Sequence, residues 1–368
     1  MRVGIDAHML GDHSGGNESF YLGILSALKP DECDEYYLFL NPGIDGSSYQ
    51  DRFHIDHYKS GSSINRYIKE LPDLCKKHRI DVLQTQYYIP FVRSCPVVAL
   101  IHDISYERFG SMFARSELYR NKLLIPYAAR KSNKVITVSE FSKQEIVDIY
   151  HIKPEKISVI YNAVSEDFRH LESDHNKRKE VREKYGIGDS PYIICVANLQ
   201  PRKNIPRLID AYLGLRQENP DDNLKLVLVG KKAWLYEPSV NAAARDDENI
   251  ILTDYVEREN LVALINEAQG FIYPSVYEGF GIPPLEALSC GTRIAVSDIP
   301  VMHEVVGDSA IYFDPYDVDD IKRALKKLTR QGTSDNNNEI ILSRFSWDKS
   351  ADKLKGIFKE CVGLNYLA

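Results

Sequence analysis

Short runs of apolar, mostly β-favouring residues recur along this chain, each followed by a longer stretch with helical apolar spacing. That alternation restricts the fold more than any other feature. In the first half the runs are RVGID (2–6), YYLFL (36–40), DVLQT (81–85), PVVALIH (96–102), KVITV (134–138) and ISVIY (157–161), with helices expected near 17–28, 64–78, 115–131 and 139–150. The second half repeats the theme with YIICVA (192–197), LKLVLVG (224–230), NIILTDYV (249–256), GFIYPS (270–275), RIAVSD (293–298) and AIYF (310–313). Strands that are apolar on both faces and separated by helices belong in parallel sheets covered on both sides. Two such halves in 368 residues predict an α/β protein of two doubly wound domains.

The predicted division is 1–170, 171–345 and a closing helix over 346–368. Residues 165–190 are charged and poor in large apolar residues, as a linker with a solvated helix should be. In the tail, Trp347, Ala351, Leu354, Phe358 and Cys361 make one apolar stripe at helical spacing, and Ser346 is placed to cap that helix.

Several function classes are disfavoured. The formal net charge of -7 argues against a general nucleic-acid binder. No window approaches ~18 consecutive apolar residues, as a membrane-spanning helix needs, and MRVGIDAHML reads as a first strand, not a signal peptide. The six cysteines show no CxxC spacing and no Cys/His cluster, so neither a disulfide framework nor a structural metal is expected, and a reducing cytoplasm is the expected setting.

In open parallel sheets, ligands bind beyond the carboxyl ends of strands, and each motif here falls at such a place. YEGFGIPPLEAL (277–288) joins a strand to a helix. Gly279 and Gly281 allow close backbone approach, a proline is tolerated in the first helical turn, and the helix end favours a phosphate. Carboxylates beside a phosphate should point elsewhere, toward sugar hydroxyls: Glu278 to one hydroxyl, Glu286 to a cis-diol such as a ribose. Two acids eight residues apart among 53 carry little weight alone, and the strand–GFG–PP–helix setting gives them their meaning.

ANLQPRKNIPRLI (197–209) places Arg202 and Lys203 just before another helix, at the end where cations are unfavourable unless an anion such as pyrophosphate binds. An exposed basic loop is the plainer reading. Gly15-Gly16 opens a helix but fits neither GxGxxG nor GxxxxGK[ST], so it is equally a mere turn, and an NAD(P) oxidoreductase lacks its fingerprint. His102 and Asp103 end a very apolar strand, where a satisfied core histidine is the default and a site residue the alternative. Ser139 reads as a helix cap, and no GxSxG is present.

Together GIDAHML, SGGNESFY, ALIHDI, ITVSEFSKQEI, VIYNAV, VANLQPRKN, LVLVGKKAW, TDYV and PSVYEGFGIPPLEALSCGT resemble the retaining GT-B glycosyltransferases of family 4, over nearly the whole chain. The resemblance implies two Rossmann-like domains facing a cleft, with a closing helix that crosses back to the N-terminal one. It implies Glu286 on the donor ribose, Glu278 on the transferred sugar, and backbone contacts from Gly279, Phe280, Gly281 and Ile282. Arg202 and Lys203 would stabilise the leaving pyrophosphate, while Gly15 and Gly16 close over the phosphates. His102 would lie near the transferred sugar, with Ser139 as a neighbour. Tyr255 and Val256 would border the base, and Gly230 joins the donor-binding set. An additional Arg found in many members is absent from VANLQ, leaving the phosphate clamp to Arg202 and Lys203.

The implied reaction is a retaining, metal-independent hexose transfer by same-face displacement, with mannose from GDP-mannose as the expected donor and a glycan or lipid-linked acceptor. A UDP-sugar transferase, a nucleotide-sugar epimerase and a non-catalytic nucleotide-sugar-binding subunit are the alternatives. No cofactor is expected. Residues 113–134 carry Arg115, Arg120, Lys122, Arg130, Lys131 and Lys134 against one Glu, a solvated face or a peripheral contact with anionic lipid at the inner membrane face.

Overall fold

A computed structural model describes residues 1–11, 15–171, 175–233, 235–246, 248–329 and 338–363, the side chains of 175–178 excepted. The chain forms two compact units. One comprises Met1–Gly110, Ala114–Asn162 and Ser346–Ala368; the other comprises Ser111–Phe113 and Ala163–Phe345.

The first unit is built on strands β1 (Arg2–Asp6), β2 (Glu35–Leu40), β3 (His54–His57), β4 (Val82–Gln86), β5 (Val97–Leu100), β6 (Lys134–Thr137) and β7 (Ile157–Val159). Their spatial order is β3-β2-β1-β4-β5-β6-β7, all parallel. The second contains β8 (Tyr192–Val196), β9 (Lys225–Val229), β10 (Ile250–Leu252), β11 (Gly270–Tyr273), β12 (Ile294–Ser297) and β13 (Ala310–Phe313), in the order β10-β9-β8-β11-β12-β13, again parallel. Each sheet therefore reverses its winding once, between β1 and β4 and between β8 and β11. At these switch points the connecting loops diverge and leave room for a ligand.

Burial explains the strand composition. Val97 to Leu100 and Tyr192 to Ile194 are fully buried, because helices cover both faces of each sheet. Three differences from the sequence reading have local causes. β3 (HIDH) escaped notice because it is an edge strand with exposed histidines at both ends. The run 249–256 yields only a three-residue strand, as Asp254 turns the chain with φ 56°. The expected 64–78 helix is interrupted by a π-helical turn over Arg66–Glu70.

The helices that matter below are α1 (Gly16–Ala27), α2 (Arg115–Lys131), α3 (Glu140–Tyr150), α4 (Ile205–Glu218), α5 (Ile282–Ser289) and α6 (Trp347–Gly363). The apolar stripe of α6 is buried in the first unit, with Ala351, Leu354, Phe358 and Cys361 almost inaccessible, and Ser346 Oγ accepts from Lys349 N at 3.4 Å. Trp347 packs edge-on to Phe20 of α1. All six cysteines are free. Among the described residues no helix is long and apolar enough to cross a membrane.

Candidate active site

The loop after β8 tightens into a short 3-10 turn, Pro201–Lys203, and reaches α4 through Asn204 in the left-handed region (φ 58°, ψ 28°). The Asn204 side chain donates to Pro274 O (3.2 Å) and Pro315 O (2.7 Å), tying the turn to the loops after β11 and β13. Pinned this way, Lys203 points inward and is only 7% exposed. Its ammonium donates to the Tyr273 hydroxyl at 2.7 Å and to Glu278, and lies 4.8 Å from the centre of the Tyr273 ring. Arg202 donates to Glu278 Oε2 at 2.8 Å and to Tyr277 O at 3.2 Å, while its own carbonyl accepts from Val276 N at 2.9 Å.

The sequence reading assigned Glu278 and the Arg202/Lys203 pair to different parts of a ligand; the fold brings all three into one buried cluster. Burial pushes the Glu278 carboxyl up, but Arg202 and Lys203 outweigh it and hold the group at about 2. Burial pulls the Lys203 ammonium down to about 8 against the opposing pull of Glu278. Two cations on one carboxylate leave a net positive site.

The loop after β11 turns through Gly281 (φ 98°) into α5, whose first turn holds two prolines. Tyr277, Phe280 and Ile282 are buried, and the Phe280 ring packs edge-on to Phe345 at 5.3 Å. Those side chains anchor the loop in the second unit. Glu286, one turn into α5, is half-buried and makes no side-chain hydrogen bond among the described residues. Burial raises its carboxyl to about 7, with Arg258 pulling the other way.

After β9, Gly230 (φ 154°) runs so close to β8 that a Cβ would meet Ala197 O at 2.1 Å. Next to it, the Lys231 ammonium sits 4.9 Å over the ring of Tyr255, which is 45% exposed, whereas Val256 is buried. The residues expected on the donor side, Gly230, Tyr255, Val256, Gly279, Phe280, Gly281, Ile282 and Glu286, thus share the second unit with Arg202, Lys203 and Glu278.

Gly15, Gly16, His102 and Ser139 belong to the first unit. Gly15 (φ 77°) precedes α1 and Gly16 is its first residue; the adjoining 12–14 lie outside the described residues. Ser139 Oγ accepts from Ser142 N and so caps α3. His102, just past β5, lies edge-on to Phe20 at 5.4 Å, and burial lowers its imidazole to about 4. Its Nε2 is buried without a hydrogen-bond partner among the described residues, an arrangement a core histidine normally avoids.

Two features escaped the sequence reading. Tyr273 sits inside the apolar run GFIY and gives no sign that its hydroxyl would meet a buried lysine. At the end of β1, Asp6 is fully buried and accepts from Tyr58 (2.7 Å) and Tyr67 (3.0 Å), with His8 Nδ1 at 2.9 Å. Burial raises the Asp6 carboxyl, but His8, Arg66 and Tyr58 hold it at about 2. The spacing Asp6-x-His8 at a strand end was the one available signal.

Two known family models match the chain. The model described as Glycosyl transferases group 1 matches residues 177–341, and that described as Glycosyltransferase Family 4 matches 35–168. The chain belongs to glycosyltransferase family 4. The chain is 30% identical over 247 residues to the serotype-specific mannosyltransferase WbdA of Escherichia coli, an alignment with 65% of this chain and 29% of WbdA, so it spans under a third of that relative. It is 28% identical to O-antigen chain mannosyltransferase B of Escherichia coli, over 80% of this chain and 74% of the other. Among solved structures, Anabaena Alr3699/HepE in complex with UDP-glucose superposes with a TM-score of 0.72 at 16% identity, covering 98% and 99% of the two chains. Two Rossmann-like units of this kind constitute the GT-B fold.

Proposed function

We propose that this transferase moves a hexose, mannose from GDP-mannose, onto a hydroxyl of a glycan or lipid-linked acceptor with retention of anomeric configuration. The observation that carries the reading is the cluster in which Arg202 and Lys203 converge on Glu278 at the switch point of the second sheet. Without a donor, Glu278 offsets part of the positive charge of the two cations. A pyrophosphate would take over that role and free Glu278 for the hydroxyls of the sugar. Arg202 and Lys203 would then stabilise charge on the departing nucleoside diphosphate, the step where fixed cations lower the barrier most. Glu286 supplies an unpaired carboxylate for the ribose diol, and the Lys231-backed face of Tyr255 a platform for the base. His102, neutral and unpaired on the first unit, is assigned to the transferred sugar. No side chain is assigned as a covalent nucleophile. Same-face displacement, with the leaving phosphate taking the acceptor proton, fits that assignment, and the two cations serve in place of a divalent metal.

Mannose is favoured by the names of the relatives nearest 30% identity. A UDP-sugar is the second reading, supported by the UDP-glucose bound to the Anabaena protein. The exposed face of α2, with Tyr119 and Leu123 each more than two-thirds accessible among Arg115, Arg120 and Lys122, fits a peripheral contact with anionic membrane at the cytoplasmic face. A thermal-shift panel of GDP-, UDP- and ADP-sugars tests the donor: at ~100 times its dissociation constant a ligand adds about 2.7 kcal/mol of stability. Proton NMR of the product then reads the anomer. No shift with any nucleotide-sugar would sink the reading.

A further inference from the structure

On the first sheet, β6 begins at Lys134 and β7 at Ile157, at the opposite edge from the strand ends that carry Asp6 and His102. Beside these strand starts, between the C-terminal end of α2 and the turn after α3, lies a cavity of about 360 Å³ lined by Arg130, Asn133, Lys134, His151, Lys153 and Lys156 among others. Glu155 is the one carboxylate residue of the lining, in a chain whose formal net charge is -7. Such a concentration of cations in an acidic protein needs a cause.

Helix capping accounts for part of it. Lys156 Nζ donates to Arg130 O at 2.7 Å and Arg93 to Lys131 O at 2.5 Å, and cations suit the negative end of α2. Lys134 pairs with Glu360 at 2.8 Å. That leaves Arg130 and Lys153. Arg130 reaches only the carbonyl of Tyr150, at 3.4 Å, and neither has a carboxylate partner among the described residues. Asn133 turns Oδ1 onto Val97 N at 3.0 Å, which leaves its amide N–H groups as donors. The Lys156 ammonium is destabilised by burial and further by Arg93 and Lys131, as expected where positive charge is gathered without enough counter-charge.

We propose that this pocket binds a phosphate group, with Arg130 and Lys153 as its charged clamp and Asn133 Nδ2 as a neutral donor. A guanidinium fork beside a lysine matches phosphate oxygens, and the volume suits a headgroup or a small phosphate ester. None of its residues belongs to the donor cluster, so the site stands independently of the transfer reading.

The test uses the whole chain. Inorganic phosphate is titrated by calorimetry at constant ionic strength, and flotation compares phosphatidylglycerol with phosphatidylcholine vesicles. Wild type is set against Arg130→Gln/Lys153→Gln, with Lys153→Gln alone as a second variant should the double fail to fold. Lys327→Gln/Lys353→Gln, which removes two exposed charges elsewhere, is the charge control. The expected result is at least a tenfold weaker association in the pocket variant and wild-type association in the control. Loss of inorganic phosphate binding identifies a soluble ester as the source, and loss confined to phosphatidylglycerol vesicles identifies a lipid headgroup. Equal association of pocket variant and wild type, equal loss in the control, or no association of wild type with either probe would overturn the proposal.

Discussion

Arg202 Nη1 lies 2.8 Å from Glu278 Oε2, joining residues 76 positions apart through two loops that become neighbours only because β8 and β11 are adjacent. Lys203 reaches the other oxygen of the same carboxylate. The isosteric change Glu278→Gln removes the anion and leaves two cations close together, one of them deeply buried. Removing one member of a buried ion pair costs about 3–5 kcal/mol, so the ligand-free variant is expected to melt earlier. A nucleoside diphosphate would restore the missing charge, so its stabilising shift should be larger in Glu278→Gln than in wild type while sugar transfer falls steeply. Calorimetric melting with and without GDP and UDP measures this. An unchanged or smaller nucleotide shift would show that the phosphates do not use these cations.

Glu286 carries a pH signature. Burial raises its folded pKa to about 7, above the ordinary 4.5, so the folded state holds this proton more tightly than the unfolded chain. Its contribution to ligand-free stability is therefore fully present below about 4.5 and is lost as pH rises through about 7. Donor binding should run the opposite way, because a ribose diol donates to the ionised carboxylate. Nucleotide-sugar affinity is expected to weaken about tenfold for each pH unit below 7. The diphosphate diester does not titrate there, and His102 (about 4) and Lys203 (about 8) lie outside that range. Glu286→Gln should flatten the profile and bind weakly throughout. A wild-type profile flat from pH 5.5 to 7 would remove Glu286 from the ribose.

Much of this architecture was legible in the residues. The helix expected at 115–131 occupies α2, and the stripe from Trp347 to Cys361 is the buried face of α6. Arg202, Lys203 and Glu278 stand out in the sequence as candidates because cations before a helix and acids in a glycine turn contradict ordinary structural preference. Their mutual pairing was not legible, since it depends on which strands become neighbours. Tyr273 was hidden for a different reason: its ring belongs to the core and only its hydroxyl belongs to the site. Asn204, in a left-handed turn that an asparagine tolerates, acts through backbone carbonyls that no side-chain pattern announces.

Gly230 and Gly281 should differ under the same substitution. An added Cβ at Gly230 meets the Ala197 carbonyl oxygen at 2.1 Å, a backbone atom held in the sheet; at Gly281 it meets Met302 Cε at 2.5 Å, the end of a flexible side chain. Both positions also require positive φ, which costs on the order of 1–3 kcal/mol for a residue with a Cβ. Gly230→Ala is therefore expected to lose more stability than Gly281→Ala in urea unfolding. Met302→Ala should recover part of the Gly281→Ala loss and none of the Gly230→Ala loss. Equal losses at the two glycines would show that the φ strain alone governs.

The closing helix depends on the absence of one methyl group. A Cβ on Gly23 of α1 would fall 2.0 Å from Trp347 Cε2, inside the ring that α6 lays across that face. The indole is rigid and edge-on to Phe20, so it cannot yield as a methionine would. Gly23→Ala would ordinarily favour a helix by about 1 kcal/mol; here it should destabilise the first unit, because the clash outweighs the gain in propensity. In Trp347→Ala the same Gly23→Ala change should become stabilising. A double-mutant cycle is expected to give a coupling of about 2–3 kcal/mol, at the upper end for contacting residues. Additive effects would mean that α6 does not seat Trp347 on Gly23 in solution.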